Sequence, residues 1–142
     1  MIYLLDTNAI SDLMRENALI TARLRAAAGS DRVVTSVIVR GEVLHGLLRM
    51  PAGKRKDLLE TKAAALFASI PCEGVPESAA THYAQIKSAQ QALGLSLDEN
   101  DLWIAASASA IGSTVVSRDA DLRRIHGLKV VDWTVGRSSA DS

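Results

Sequence analysis

Four acidic residues, far apart along the chain, are the side chains best suited to do chemistry: Asp6, Glu42, Asp101 and Asp119. Asp6 directly follows a short apolar run, and Asp119 closely follows a second run, residues 114–117, that is typical of a buried strand. Ligands of open parallel sheets gather outside the carboxyl ends of the strands. If these two strands are neighbours, Asp6 and Asp119 meet at one edge of the sheet. Glu42 and Asp101 must then reach that edge from helices.

A cluster of carboxylates without partners is unfavourable, because like charges repel and one acid takes up a proton. A divalent cation removes this conflict, and an all-oxygen site favours Mg²⁺ or Mn²⁺ over zinc. Zinc is further disfavoured because the three histidines lack paired ligand spacing: His45, His82 and His126. A metal of this kind activates a bound water and polarises a phosphate oxygen, so the acids predict phosphodiester hydrolysis. Glu42 or Asp101 is expected to orient or deprotonate the attacking water.

Three of these acids also have a purely structural interpretation. Asp6 is placed to cap the following helix, Glu42 to be a solvated helix residue and Asp119 to begin a turn. Gly41 and Gly46 lie beside Glu42, and they permit either a close approach to the site or simple packing against a neighbouring helix.

Two nearby acids are expected to stay outside the site. Asp98 lies three residues before Asp101 and suits the N-cap of the same helix. Asp121 lies two residues after Asp119, a spacing that points it to a different face of a helix. We therefore predict that both are dispensable.

Short strands and helices alternate along the chain, which indicates an α/β fold with a parallel sheet. Strands are predicted at residues 2–5, 32–35, around Cys72, 114–117 and 128–131. Helices are predicted at residues 9–15, 19–28, 37–50, 54–69, 77–93, 98–111 and 119–125. We find no repeat or linker, so one domain is expected over residues 1–133, followed by a disordered tail at 134–142.

The composition fits one soluble domain. With 142 residues, 48% of them hydrophobic, the chain can bury a core. Sixteen basic residues balance sixteen acidic ones, so any RNA contact depends on local patches. The single Cys72 excludes an internal disulfide and fits a reducing cytoplasm. The opening apolar run lacks a basic leader and is too short to span a bilayer, so we expect a cytoplasmic protein with no membrane contact.

Five segments together resemble the PIN-domain family, specifically VapC-type toxins and the related FitB proteins. They are Leu4 to Asn8, Ser36 to Gly46, Asn100 to Ala106, Val116 to Asp119 and Gly127 to Trp133. The resemblance spans nearly the whole chain, and its strength lies in the order and spacing of the segments. It places the four acidic positions of the family on the four acids already named. Asp6, Asp101 and Asp119 are the expected metal ligands, and the polar helpers are expected at Thr7, Asn8 and Ser117.

The resemblance implies a PIN-like three-layer sandwich, in which a central, mostly parallel sheet is flanked by helices. It also implies an Mg²⁺- or Mn²⁺-dependent endoribonuclease that forms a homodimer. Such proteins are the toxins of type II toxin–antitoxin pairs and are held inactive by a small antitoxin. Family antitoxins often thread a basic side chain into the acidic site, where an Arg offsets the carboxylate charge.

Two other classes of function are compatible with parts of the pattern. A FitB-like binding module would use its dimer to join a DNA-binding partner at an operator. A phosphoacceptor or phosphatase domain also holds Asp at a strand end with Mg²⁺. However, Asp6 has no second acid two residues on, and Ser117-Arg118-Asp119 occupies the place where such domains carry a Lys. The ribonuclease toxin is therefore the expected function.

Overall fold

The computed structural model describes residues 1–136 of the chain. Within them, five strands pair in parallel in the order β3-β2-β1-β4-β5. The strands are β1 (Ile2–Leu5), β2 (Arg32–Ser36), β3 (Cys72–Glu73), β4 (Thr114–Val116) and β5 (Val130–Val131). The helices are α1 (Thr7–Met14), α2 (Ala18–Ala28), α3 (Val37–Leu48), α4 (Lys54–Ser69), α5 (Ala79–Ala92), α6 (Glu99–Ala110) and α7 (Ala120–Arg123). The predicted α/β class, with a parallel sheet flanked by helices, is confirmed.

The two central strands are buried on both faces. Leu4 and Leu5 of β1 and Val115 and Val116 of β4 are at most 1% exposed. Apolar side chains on both faces of a strand require helices on both faces of the sheet. These residues belong to one continuous core that also includes Trp133, whose ring lies 5.0 Å from that of Tyr3.

The strand order reverses at β1, and this reversal defines the functional edge of the sheet. β1 pairs with β2 on one side and with β4 on the other. Leu5 is opposite Val116, and the Asp6 N–H continues the ladder by donating to the Val116 carbonyl at 3.2 Å. Because the strands are parallel, the residues after β1 and after β4 emerge side by side. Ligands of open parallel sheets bind at such a point.

Several predicted boundaries shift by a few residues. α1 begins at Thr7 rather than at residue 9, because Asp6 already caps it. α5 begins at Ala79 rather than at residue 77, and β5 is shortened to Val130–Val131. Trp133 is buried at the end of the predicted domain, and residues 137–142 of the predicted tail lie outside the described residues. In the part of the chain that the structure describes, no helix combines the length and apolarity needed to cross a membrane.

Candidate active site

Asp6 lies at the carboxyl end of the central strand and is 4% exposed. Its Oδ1 accepts a hydrogen bond from the Ala9 N–H at 2.8 Å, so it caps α1. The Thr35 hydroxyl donates to the Leu5 carbonyl at 2.8 Å and holds the end of β2 against the same edge. Thr35 was not singled out from the sequence. Asp6 therefore has both the structural role of a cap and the buried rim position expected of a functional acid.

Asp119 follows β4 and lies on the same edge of the sheet. The Ser117 hydroxyl accepts from the Asp119 N–H at 3.0 Å, and Asp119 Oδ1 accepts from the Asp121 N–H at 2.9 Å. Asp119 thus caps α7, which agrees with its predicted structural role at the start of a turn. Ser117 is buried, and its side chain is also close enough to Asp6 to lower the pKa of that carboxyl.

Glu42 reaches the edge from the middle of α3, where it is half-buried. Its Oε1 accepts a hydrogen bond from the Thr7 hydroxyl at 2.7 Å. Ser36 caps α3 by accepting from the Ile38 N–H at 3.0 Å, as predicted, and so sets the direction of the helix. The hydrogen bond to Thr7 ties Glu42 to the residue next to Asp6, which is not the behaviour of a freely solvated helix residue. Asn8 is also half-buried beside Thr7.

Asp101 lies in the first turn of α6 and is half-buried. Asp98 caps this helix by accepting from the Asn100 N–H at 3.1 Å, which confirms its predicted capping role. The body of α6 carries small buried residues that let the helix pack closely, among them Ala105 and Ala108. This close packing brings the start of α6 to the edge that carries the other acids.

The charges of the four acids act on one another. The pKa of Asp101 is raised to about 6, first because it is buried and then because of the negative charges of Asp119, Asp98, Glu42 and Asp6. The acids named from the sequence therefore lie within range of mutual repulsion. We call Asp6, Glu42, Asp101 and Asp119 the acidic rim.

The pKa of Asp6 is also raised to about 6, and burial is the main cause. Hydrogen bonds from the Ser117 side chain and the Ala9 N–H lower it, whereas the charge of Asp119 raises it further. Arg118 lowers it as well and is a nearby cation to which the sequence interpretation gave no role. Burial therefore outweighs all of the local stabilisation of the Asp6 carboxylate.

Arg118 is held at the border of the acidic rim by an ion pair. Its Nε donates to Asp12 Oδ2 at 3.0 Å, although the two residues are 106 positions apart in the chain. Asp12 lies on α1, and no local sequence motif connects it with Arg118. The sequence therefore gave no signal for this contact. Half of the Arg118 side chain is exposed, so the pair is a surface contact.

The donor set of the acidic rim fits a hard divalent cation, because all of its candidate ligands are carboxylate oxygens. Within residues 1–136, no three acidic, histidine or cysteine side chains converge closely enough to form a ready-made metal cage. One oxygen each of Asp6, Asp119 and Glu42 is instead engaged by a protein N–H or O–H group. Mg²⁺ keeps several water ligands and needs only one or two carboxylates, so a complete protein cage is not required.

The two glycines beside Glu42 do not behave as predicted. A Cβ atom built on Gly41 or Gly46 meets no atom within 4 Å, and both residues lie on the exposed side of α3. Neither a close approach to the site nor packing against a helix of the described chain explains them. Asp121 is exposed and lies 3.5 Å from Arg124, which agrees with its predicted place outside the rim.

The family model described as the PIN domain matches residues 3–128. Ribonuclease VapC1 of Haemophilus influenzae strain R2866 is 29% identical over 140 residues, which cover 94% of this chain and 99% of that protein. The solved structure of VapBC-1 from nontypeable H. influenzae has a TM-score of 0.82 and 27% identity, covering 95% of this chain and 100% of that one.

A structure of FitAB bound to the IR36 DNA fragment has a TM-score of 0.81 and 30% identity, covering 98% of this chain and 99% of that one. Other solved structures of this fold are described as toxin–antitoxin systems or complexes. The family match covers most of the chain, and the sheet edge that carries the acidic rim lies inside it. The chain belongs to the PIN domain family.

Proposed function

We propose that this protein is a divalent-metal-dependent endoribonuclease and the toxin component of a type II toxin–antitoxin pair. The observation that carries the proposal is the acidic rim, in which four carboxylates share one sheet edge. Two of them, Asp6 and Asp101, have a pKa raised to about 6. A cluster of carboxylates with raised pKa values is typical of a functional site, because a purely structural role does not require negative charges to be held close together. The similarity to Ribonuclease VapC1 supports RNA as the substrate.

Mg²⁺ or Mn²⁺ is the proposed cofactor, and Asp6, Asp101 and Asp119 are the proposed ligands. When bound, such an ion lowers the pKa of a coordinated water and stabilises charge on the phosphate. We propose that Asp6 would hold it rigidly, which is supported by the Asp6 backbone continuing the sheet ladder and its side chain capping α1. Ser117 supports both Asp6 and Asp119.

Glu42 is the acid we propose to orient the attacking water. It reaches the rim from α3, outside the set of proposed metal ligands. Thr7 donates to Oε1 at 2.7 Å, which fixes the carboxylate and leaves Oε2 to accept a proton from water. Asn8 is proposed to contact the RNA backbone beside Thr7. Effective general bases are fixed in this way within hydrogen-bonding distance of the group they deprotonate.

The central test is RNA cleavage with and without divalent metal. Purified protein with Mg²⁺ or Mn²⁺ is expected to cut cellular RNA internally, and EDTA is expected to stop it. Asp6→Asn removes one charge without changing the size of the residue and is expected to abolish cleavage. Asp121→Asn is the matched control, because Asp121 is exposed and is placed outside the rim. Equal activity of wild type and Asp6→Asn would refute the site assignment.

The proposed partners are a cognate antitoxin and a second copy of the chain, in the cytoplasm. An apolar groove between α3 and α4 supports protein binding, since exposed apolar patches mark interaction surfaces. Leu44 and Leu48 line this groove and are 45% and 75% exposed, and Phe67 closes its far side. A small protein with an apolar helix is the proposed occupant. Leu48→Lys is expected to abolish co-purification of the antitoxin while leaving RNA cleavage unchanged.

The similarity to DNA-bound FitAB favours one alternative, a non-catalytic module that joins a DNA-binding partner. Both functions predict operator binding by the complex, so operator binding does not separate them. Cleavage and growth inhibition do separate them. If expression of the chain alone leaves growth normal, and metal-loaded protein leaves RNA intact, the binding module replaces the ribonuclease.

A further inference from the structure

A cavity lies near the start of β4, at the opposite end of this strand from the acidic rim. Its volume is about 520 Å³, which is within the usual range for pockets that hold small molecules. It is half open to solvent and is bordered by α5, the end of α6 and the turn between α7 and β5. Ser109 lines it near the end of α6, whereas Asp101 lies in the first turn of the same helix. At 1.5 Å per helical residue these positions are about 12 Å apart along the axis, so the cavity is separate from the acidic rim.

The polar groups at the mouth of this cavity favour an anion. Arg124 and Lys129 contribute two cationic side chains, and His82 and His126 contribute two imidazoles. No acidic residue lines the cavity, although acidic and basic residues are equal in number in the whole chain. Within residues 1–136, Lys129 has no ion-pair partner, and Arg124 makes only an exposed contact with its near neighbour on α7. Lys129 is therefore free to bind a phosphate, and Arg124 can exchange its exposed contact with Asp121 for a contact with a phosphate.

Gln90 is a buried polar side chain at this cavity. It is 4% exposed and lines the wall formed by α5. Its backbone carbonyl accepts from the N–H groups of Leu93 and Leu95, at 3.1 and 2.9 Å. No hydrogen bond within the described residues engages its amide, and the amide is not a buried orphan, since Ser107 Oγ is the one buried side-chain atom there without a partner. The Gln90 carboxamide is therefore open to the cavity, and its donor and acceptor match the hydrogen-bonding edge of a nucleobase.

The remaining wall of the cavity is apolar. Four side chains supply it: Ile86 of α5, Leu93 directly after that helix, and Ile125 and Leu128 between α7 and β5. The turns at its edge depend on Gly112 and Gly127, whose φ angles of +66° and +81° are unfavourable for other residues. Apolar walls suit the faces of a flat ring, and the exposed cations suit an attached anion. The cavity thus combines the three kinds of contact that a nucleotide requires.

We propose that this cavity binds a phosphorylated nucleotide, with the base against Gln90 and the phosphate at Arg124 and Lys129. The nucleotide is either a free mononucleotide or the terminal nucleotide of an RNA chain, since both present the same chemistry. This proposal does not depend on RNA cleavage at the acidic rim. Binding is therefore measured in EDTA, where the proposed nuclease is inactive.

The test is calorimetric titration of the full-length protein with adenosine 5′-monophosphate, and separately with inorganic phosphate. We expect saturable binding of the nucleotide that is at least tenfold tighter than binding of phosphate. Gln90→Leu and Lys129→Gln are each expected to weaken nucleotide binding at least tenfold. Lys54→Gln is the matched control, because Lys54 is an exposed lysine on α4, far from the cavity in sequence, and is expected to change nothing.

Lys129 is exposed, so its variant tests the site even if replacement of buried Gln90 impairs folding. No saturable nucleotide binding, or equal weakening by Lys54→Gln, would overturn the proposal. A 5′-phosphorylated RNA pentamer identifies the natural source of the nucleotide. Binding of the pentamer that is weakened by Lys129→Gln supports an RNA end, and binding of the mononucleotide alone supports a free nucleotide.

Discussion

Asp6→Asn is expected to stabilise the metal-free protein at neutral pH, although it removes a proposed catalytic residue. The pKa of the buried Asp6 carboxyl is raised from 3.8 to about 6, mainly by burial. Each pKa unit corresponds to 1.36 kcal/mol, so ionising Asp6 in the folded state costs about 3 kcal/mol. Asn keeps the oxygen that caps α1 by accepting from Ala9, and it carries no charge.

The sign of the pH dependence follows from proton linkage. Below about pH 4, Asp6 is protonated in both the folded and the unfolded chain, and the penalty is absent. Between pH 4 and 6 the folded state holds the proton more tightly, so the free energy of unfolding falls as the pH rises. Above pH 6 the carboxyl is ionised in both states, and the full penalty of about 3 kcal/mol applies.

Urea unfolding in EDTA at pH 7.5 and at pH 4 measures the effect. Asp6→Asn is expected to raise the free energy of unfolding by about 3 kcal/mol at pH 7.5, which corresponds to a Tm increase of roughly 10 °C. The gain should largely disappear at pH 4. Asp57→Asn, at an exposed acid in the first turn of α4, is the matched control and should show no such gain. A destabilised Asp6→Asn protein at pH 7.5, or a gain of equal size at both pH values, would refute the reasoning.

Three further predictions concern the same structure. Thr7→Val removes the hydrogen bond to Glu42 and is expected to lower kcat for RNA cleavage at least tenfold. Thr7→Ser keeps a hydroxyl and should restore most of the lost kcat. An unchanged kcat in Thr7→Val would contradict the proposed role of Thr7 in fixing Glu42. Mg²⁺ at about one hundred times its Kd should stabilise the protein by about 2.7 kcal/mol in thermal unfolding. Asp101→Asn should reduce that gain at the same Mg²⁺ concentration. Equal gains for the wild type and Asp101→Asn would exclude Asp101 as a ligand. Trp133→Ala should destabilise the fold by about 3–5 kcal/mol in urea, because this side chain is 3% exposed; a loss below 1 kcal/mol would place Trp133 outside the core.

The sheet and its edge were predictable from sequence because they rest on short-range signals. The apolar run before Asp6 and the run before Asp119 each mark a strand buried on both faces, and parallel pairing then brings their ends together. The capping roles of Ser36 and Asp98 were predictable for the same reason, since a cap bonds to a residue two or three positions away.

Contacts between distant segments were not predictable from local patterns. The hydrogen bond from Thr7 to Glu42 joins residues 35 positions apart, and the ion pair of Arg118 with Asp12 joins residues 106 positions apart. Neither contact has a spacing that a helix or strand pattern can indicate. The glycines beside Glu42 were misinterpreted because a glycine in a helix indicates packing only when a neighbour is present, and none lies within 4 Å.

The central position of β1 has a consequence for how the protein is made. β1 is made before the other four described strands, yet Leu5 must wait for Val116, about 110 residues later, before β4 can pair with it. At roughly 5–20 residues per second, synthesis of that stretch takes on the order of 5–20 s. Throughout this time Asp6 has neither Ser117 nor Asp119 beside it. A nascent chain that stops before Asp119 therefore has no acidic rim, and the proposed nuclease can become active only after β4 and Asp119 have been made.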